Sequence, residues 1–109
     1  MRASELTGGG LDGLQWIDRT TGGPGPGEVE VRVEATSPNS RDLLMATRAA
    51  GIIPLSDGAG VVTRVGEGVT ELAEGDQVAG TFFSHWVDGR AFAAMHDAAL
   101  GGSVDGMLA

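Results

Sequence analysis

Cysteine is absent from the 109 residues of the chain. Without thiols the sequence can form no disulfide, no thiolate nucleophile and no zinc site that needs sulfur ligands. Basic residues are also scarce. The chain has seven basic and fifteen acidic residues, which gives a formal net charge of −8. The basic residues form no cluster, so the charge pattern argues against binding to the phosphates of nucleic acids.

Long apolar runs are missing as well. No stretch approaches the ~20 apolar residues of a membrane span, and the first residues lack the basic patch and apolar run of a signal peptide. We therefore expect no membrane association and a cytoplasmic location. The length of 109 residues fits a single domain with one hydrophobic core.

Glycine is the abundant residue, with 19 copies. A chain so rich in glycine favours tight turns and short strands over long helices. The clearest predicted strand covers residues 28–34, where valines alternate with charged residues, and two further strands are predicted over residues 58–65 and 77–83.

Two short helices are predicted beside these strands. The first lies between the first two strands, with Ser37 as its cap, Pro38 in its first turn, Asp42 near its start and an apolar side before Gly51. A weaker one covers residues 91–100. The pattern predicts a mainly β protein, a small barrel or curled sheet with one or two short helices.

Gly8, Gly10 and Gly13 near the start of the chain match the G-x-G-x-x-G pattern of dinucleotide-binding sites. That site needs a buried strand before the glycines and a full helix after them. Here seven mostly polar residues precede Gly8, and the sequence after Gly13 leaves no room for a full helix before the next turn. We interpret the match as accidental rather than as a nucleotide-binding site.

Several segments resemble one known family. They include PGPGEVEVRVEA from residue 24, SPNSRDLL from residue 37, PLSDGAGVV from residue 54 and EGDQVAGT from residue 74. Taken together, these segments make the sequence similar to the N-terminal half of medium-chain dehydrogenases/reductases. Its Asn-x-Arg-Asp and Ser-Asp-Gly-Ala-Gly motifs resemble the zinc-independent, quinone-oxidoreductase-like branch.

The resemblance implies a fold for this chain and a separate domain for binding the cofactor. Residues 1–109 are expected to form a GroES-like, partly open β-barrel that lacks its last strands. The opening glycines fall in the turn of its first hairpin, between strands at residues 1–7 and 14–18. The other half of such proteins is a Rossmann domain that binds NAD(P), and we expect it to be absent from this chain.

The resemblance also implies site residues. Zinc-dependent members carry Cys at the position of Asn39 and a His-Glu pair at Ser56 and Asp57, so no zinc is expected here. Asn39, Arg41 and Asp42 would lie at the mouth of the substrate cleft, where Asn39 can reach the nicotinamide or a substrate carbonyl.

Each of these residues also has a structural interpretation. Asn39 and Asp42 are equally suited to capping the helix, and Asp42 could pair with Arg41 or Arg64. Asp57 could act as an acid or base facing the cleft, or could be a turn residue that bonds its own backbone.

The aromatic segment at residues 82–87 contributes two more candidates. His85 is the residue type most used as a general base near neutral pH, while a lone His beside aromatic residues is often packed or exposed without a role. Trp86 could line a pocket, although Phe82, Phe83 and Trp86 also suit core packing. His96 is a weak candidate. The predicted catalytic residues are Asn39, Asp42, Asp57 and His85, and the predicted substrate contacts are Arg41, Ser56 and Trp86.

Two functions remain open. In the first, the chain is the substrate-cleft half of an NADPH-dependent oxidoreductase that reduces a quinone, enone or similar carbonyl. It would bind no cofactor alone: either activity needs a separate Rossmann chain, or the chain is a fragment. In the second, a complete small protein binds an apolar molecule, or acts as a cofactor-free isomerase or cyclase through Asp57, Asp42 or His85. Exposed apolar surface and a free sheet edge then predict a homodimer.

Overall fold

A computed structural model describes residues 1–85, 88–90 and 98–108. Within these residues most of the regular structure is β, with one α-helix, which confirms the predicted fold class. In chain order the elements are β1 (Arg2–Glu5), a short 3-10 helix (Leu11–Gly13), β2 (Gln15–Asp18), β3 (Val29–Ser37), α1 (Ser40–Arg48), β4 (Asp57–Val65) and β5 (Gln77–Ala79).

The first two strands form an antiparallel hairpin that joins Arg2 to Asp18 and Glu5 to Gln15. The opening glycines lie in its connection. Gly8 and Gly10 have φ angles of 82° and 77°, a region that residues with a side chain rarely adopt. Only a three-residue 3-10 helix follows Gly10. The glycine motif therefore forms the turn that the sequence predicted.

Strands β3, β4 and β5 form an antiparallel sheet with β4 in the centre. Strand β3 continues to Ser37, beyond its predicted end, because its last three residues stay paired with the start of β4. Strand β5 stops at Ala79, earlier than predicted. The chain turns soon afterwards, and Phe82 has a φ of 72°, which an extended strand does not permit.

Helix α1 starts later than expected, so the prediction of Ser37 as its cap is wrong. Ser37 still belongs to the β3–β4 ladder, opposite Asp57, and Asn39 is the N-cap residue. The carboxylate of Asp42 accepts the backbone N–H of Asn39 at 2.6 Å. This bond satisfies a backbone donor at the helix start.

The predicted helix over residues 91–100 falls mostly outside the described residues. In its described part, Ala99 and Leu100 make isolated β-bridges to Phe83 and Val104. Among the helices that the structure describes, none is long and apolar enough to cross a bilayer.

The end of the described chain packs back onto its beginning. Backbone bonds join Gly106, Met107 and Leu108 to Ile53, Leu55 and Pro54 respectively. Ser4 of β1 donates its N–H to Leu108. The buried apolar side chains of these segments and of the sheet and helix form the core: Ala3, Leu6, Ala46, Ile53, Leu55, Val62, Ala98 and Ala99.

Gly60 provides a test of the β3–β4 pairing. A Cβ at Gly60 would collide with the carbonyl of Arg32 on the facing strand, while one at Gly22 would meet no atom within 4 Å. Gly60→Ala is therefore expected to lower the free energy of unfolding by about 2–3 kcal/mol. Gly22→Ala, the matched control, should change it by less than about 1 kcal/mol. Urea unfolding measures both, and equal effects would contradict this packing.

The ion pair across β3 and β4 predicts a pH dependence. Arg64 and the Thr63 hydroxyl donate hydrogen bonds to the carboxylate of Glu30. These bonds, that from Arg64 foremost, lower the pKa of Glu30 from 4.5 to about 2. Because the folded-state pKa is depressed, the stabilisation is present above pH 4.5 and is lost as the pH falls toward 2.

The Glu30 carboxyl signal in an NMR titration should therefore have its midpoint near pH 2. In Arg64→Gln the midpoint should move up toward 4.5, since the main hydrogen-bond donor is gone. A midpoint near 4.5 in the unsubstituted chain would show that the ion pair does not form in solution.

Candidate functional site

The side chains of Asn39 and Asp57 meet at the junction of helix and sheet. Because Ser37 ends β3 opposite Asp57, the chain has moved only two residues when it reaches Asn39. The Nδ2 of Asn39 donates to Oδ2 of Asp57 at 2.5 Å. Two predicted site residues, 18 positions apart in sequence, thus form one hydrogen-bonded pair.

A groove of about 280 Å³ opens beside this pair. The end of β3, the start of β4 and the end of β5 form its walls. Most of its side chains are small, which leaves the space open, and Asp57 supplies the charged group. The lining residues are Ala35, Thr36, Ser37, Asp57, Gly58, Ala59, Ala79 and Gly80. A small, mostly apolar cleft with one oriented polar group is typical of a small-molecule site.

Two buried oxygen atoms next to the pair have no hydrogen-bond partner within the described part of the chain. They are Oδ1 of Asp42 and Oγ of Ser56. Asp42 is only 7% exposed and Ser56 only 1%. Asp42 uses its other oxygen on the backbone of Asn39, and Ser56 directly precedes Asp57. Within the described residues, hydrogen-bonding capacity is thus left unused close in sequence to Asn39 and Asp57, at an energetic cost.

The turn that leads into Asp57 is strained. Leu55 is buried and has a φ of 74°, an uncommon value for a residue with a branched side chain. Gly101 packs directly against it, because a Cβ at Gly101 would lie 2.8 Å from the backbone nitrogen of Leu55. Strained backbone is often retained where it positions functional groups, and here it precedes Ser56 and Asp57. No sequence pattern indicated Leu55.

The other predicted site residues lie elsewhere. Arg41 does not line the groove: its Nη1 donates to the carbonyl of Leu100 at 3.2 Å, and its Cζ lies 4.9 Å from the centre of the Phe82 ring. His85 is exposed and is not among the groove residues. Trp86 and His96 lie outside the described residues.

Asp42 does not form the suggested ion pair with Arg41 or with Arg64. Arg64 pairs with Glu30 across the β3–β4 ladder, and Arg41 bonds the backbone of Leu100. None of the ion pairs within the described residues includes Asp42. The geometry therefore supports its capping role.

The donor set at the groove fits a metal ion poorly. Asn39, Ser56 and Asp57 offer one amide, one hydroxyl and one carboxylate, whereas Zn²⁺ prefers thiolate, imidazole and several carboxylate ligands. Elsewhere in the described residues, too, no group of three or more His, Asp or Glu side chains could hold an ion.

Comparison with known proteins shows the family. Residues 25–109 match the model of the alcohol dehydrogenase GroES-like domain, so the chain belongs to this family. A zinc-type alcohol dehydrogenase-like protein of Schizosaccharomyces pombe is 39% identical over 87 residues. That match covers 74% of this chain and 25% of the yeast protein.

Solved structures share the fold. A cobalt- and zinc-bound alcohol dehydrogenase of Pyrobaculum aerophilum superimposes with a TM-score of 0.82 and 28% identity, over 97% of this chain and 36% of that one. Escherichia coli quinone oxidoreductase in complex with NADPH gives a TM-score of 0.67 and 26% identity, over 72% and 26%. The chain thus spans about a quarter to a third of the length of these relatives. The predicted resemblance to medium-chain oxidoreductases is confirmed.

The buried hydroxyl of Ser56 leads to a stability prediction. Ser56→Ala removes a buried polar atom that has no hydrogen-bond partner among the described residues, so the free energy of unfolding should stay the same or rise by up to about 1 kcal/mol. Asp42→Ala removes the bond to the Asn39 backbone and should lower it by about 1 kcal/mol. Urea unfolding compares the two. A loss above 1 kcal/mol in Ser56→Ala would mean that the hydroxyl is bonded in solution.

Proposed function

We propose that this chain forms the carbonyl-binding wall of an NAD(P)H-dependent reductase that acts on quinones, enones or related carbonyl compounds. The observation that carries the proposal is the Asn39–Asp57 hydrogen bond at the edge of the groove. Membership of the alcohol dehydrogenase GroES-like family supports it, as does the likeness to a quinone oxidoreductase in complex with NADPH.

The Asp57 carboxylate orients the amide of Asn39. A carboxylate only accepts hydrogen bonds, so the NH₂ end of the amide must face Asp57. One amide proton is used there, and the other has only a long contact of 3.4 Å to the carbonyl of Ser37. A substrate carbonyl in the groove could take this second N–H. The donor is neutral, so little desolvation opposes the approach of an apolar substrate.

The reduced nicotinamide, when bound, supplies the hydride that reduces the substrate. The residues of this chain interact with the carbonyl oxygen of the substrate. Asn39 stabilises the negative charge that develops on the carbonyl oxygen, a role of oriented N–H donors in many active sites. Water entering the open groove protonates the product oxygen. The polarising group in this proposal is an amide rather than a zinc ion.

We propose that the dinucleotide is bound by another polypeptide segment, either a Rossmann domain or a separate Rossmann chain. The support is the location of Gly8, Gly10 and Gly13 in the connection of an antiparallel hairpin. A dinucleotide turn instead joins a buried parallel strand to the N-terminus of a full helix.

The groove also suits a second candidate function, in which Asp57 moves a proton of a carbonyl compound without any cofactor. The lining of the groove by a carboxylate favours this alternative. The two functions differ in a simple way. An isomerase would shift the double bond of an enone in the absence of NADPH, whereas a reductase would leave the enone unchanged.

Titration with 2-cyclohexenone, followed by amide NMR shifts of the 109-residue chain, tests the carbonyl site. Shifts should concentrate at Asn39, Asp57, Gly58 and Gly80. Asn39→Ser keeps a good N-cap residue but removes the amide, so it should weaken binding about fivefold. Gln15→Ser on exposed strand β2 is the matched control and should bind like the unsubstituted chain. Equal binding by Asn39→Ser and the unsubstituted chain would contradict the proposal.

A further inference from the structure

A second cleft, here called the arginine cleft, lies on another face of helix α1. It has a volume of about 530 Å³ and is larger than the groove beside Asp57. Arg41 and Arg48 of α1 form one wall, and Ile52, Gly102 and Ser103 contribute to the other walls. Neither Asn39 nor Asp57 lines it.

The charge of the arginine cleft differs from that of the rest of the molecule. The chain has a net charge of −8, and all seven of its basic residues are arginines. Arg19, Arg32 and Arg64 form ion pairs with carboxylates. Arg41 and Arg48 have no carboxylate partner within the described residues, and no Asp or Glu is among the residues that line the cleft there. Among the described residues, two positive charges without a carboxylate partner therefore face one cavity.

Arg41 is held in position before any ligand arrives. Its guanidinium donates to the carbonyl of Leu100 and lies over the ring of Phe82. Its Nη2 lies close to Gly102, where the lack of a side chain leaves room for it. A guanidinium has five N–H donors, and the bond to Leu100 uses one of them.

Arg48 lies seven residues after Arg41, which is two turns or about 10 Å along the same helix. Arg48 is exposed. Two guanidinium groups suit an oxyanion, because the planar fork of arginine matches the oxygens of phosphate and carboxylate groups.

We propose that the arginine cleft binds the oxyanion of a small molecule, a phosphate or a carboxylate. Binding there needs no reaction at the Asn39–Asp57 groove, so the inference stands or fails independently of the proposed reductase function. The apolar part of the lining, Met45 and Ile52 among it, would contact the carbon skeleton that carries the anion.

Titration of the 109-residue chain with inorganic phosphate, and separately with acetate at matched ionic strength, tests the arginine cleft. Amide NMR shifts should concentrate at residues 48–50 and 102–103. Arg48→Gln should weaken binding about tenfold, since one charged hydrogen-bond donor is lost. Arg32→Gln removes the same charge from an exposed pair on β3 and should bind like the unsubstituted chain. Stronger binding of phosphate identifies a phosphoryl ligand, and equal or stronger binding of acetate identifies a carboxylate.

Arg41→Lys adds a second variant, because it keeps the charge and loses the planar fork; it should also weaken binding. The proposal is overturned if neither ion causes localised shifts at up to about 50 mM, a concentration that would reveal even millimolar affinity. It is equally overturned if Arg32→Gln weakens binding as much as Arg48→Gln does, or if Arg48→Gln lowers only the stability of the fold.

Discussion

The pairing of β3 with β4 determines where every other part of the site lies. Both strands have nine residues, and their register runs from Val29 opposite Val65 to Ser37 opposite Asp57, with two bulges between. Because the ladder ends at Ser37, helix α1 begins beside the first residue of β4. A shift of the register by one residue would turn Asp57 to the other face of the sheet and separate it from Asn39.

The chemistry of the groove follows from this junction. The backbone N–H groups at the start of the helix require hydrogen-bond acceptors. Asp42 satisfies one of them by accepting the backbone N–H of Asn39. The amide nitrogen of the Asn39 side chain contacts Asp57. The strained backbone of Leu55 and the unpartnered oxygens of Asp42 and Ser56 lie within a few residues of the same point. Such local costs are found where a structure positions groups for binding.

The two faces of α1 have different characters. Its N-terminus meets the groove through Asn39, while Arg41 and Arg48 face a separate positively charged cavity. The neutral amide suits an uncharged carbonyl, and the two guanidinium groups suit an anion.

Local patterns in the sequence were enough to predict much of the fold. The alternating valines predicted β3, and the polar flanks of the opening glycines argued against a dinucleotide site, while the family resemblance implied the hairpin turn. The helix cap was misplaced at Ser37 because a local capping preference carries no information about the β ladder that still holds this residue. The resemblance indicated Asn39 and Asp57 as separate site residues, but their contact depends on a register that no local pattern reveals.

Other features could not be predicted for the same reason. Arg41 donates a hydrogen bond to the backbone of Leu100 and lies close to Gly102, both about 60 residues further along the chain. The left-handed backbone of Leu55 packs closely against Gly101 and has no counterpart in residue preferences.

The central claim is that this chain presents a carbonyl-binding wall and that another segment binds the dinucleotide. Calorimetric titration of NADPH into the purified 109-residue chain tests this division most directly. The account predicts no saturable binding tighter than about 1 mM. A dissociation constant in the micromolar range would contradict it, because the chain would then hold the cofactor without a partner.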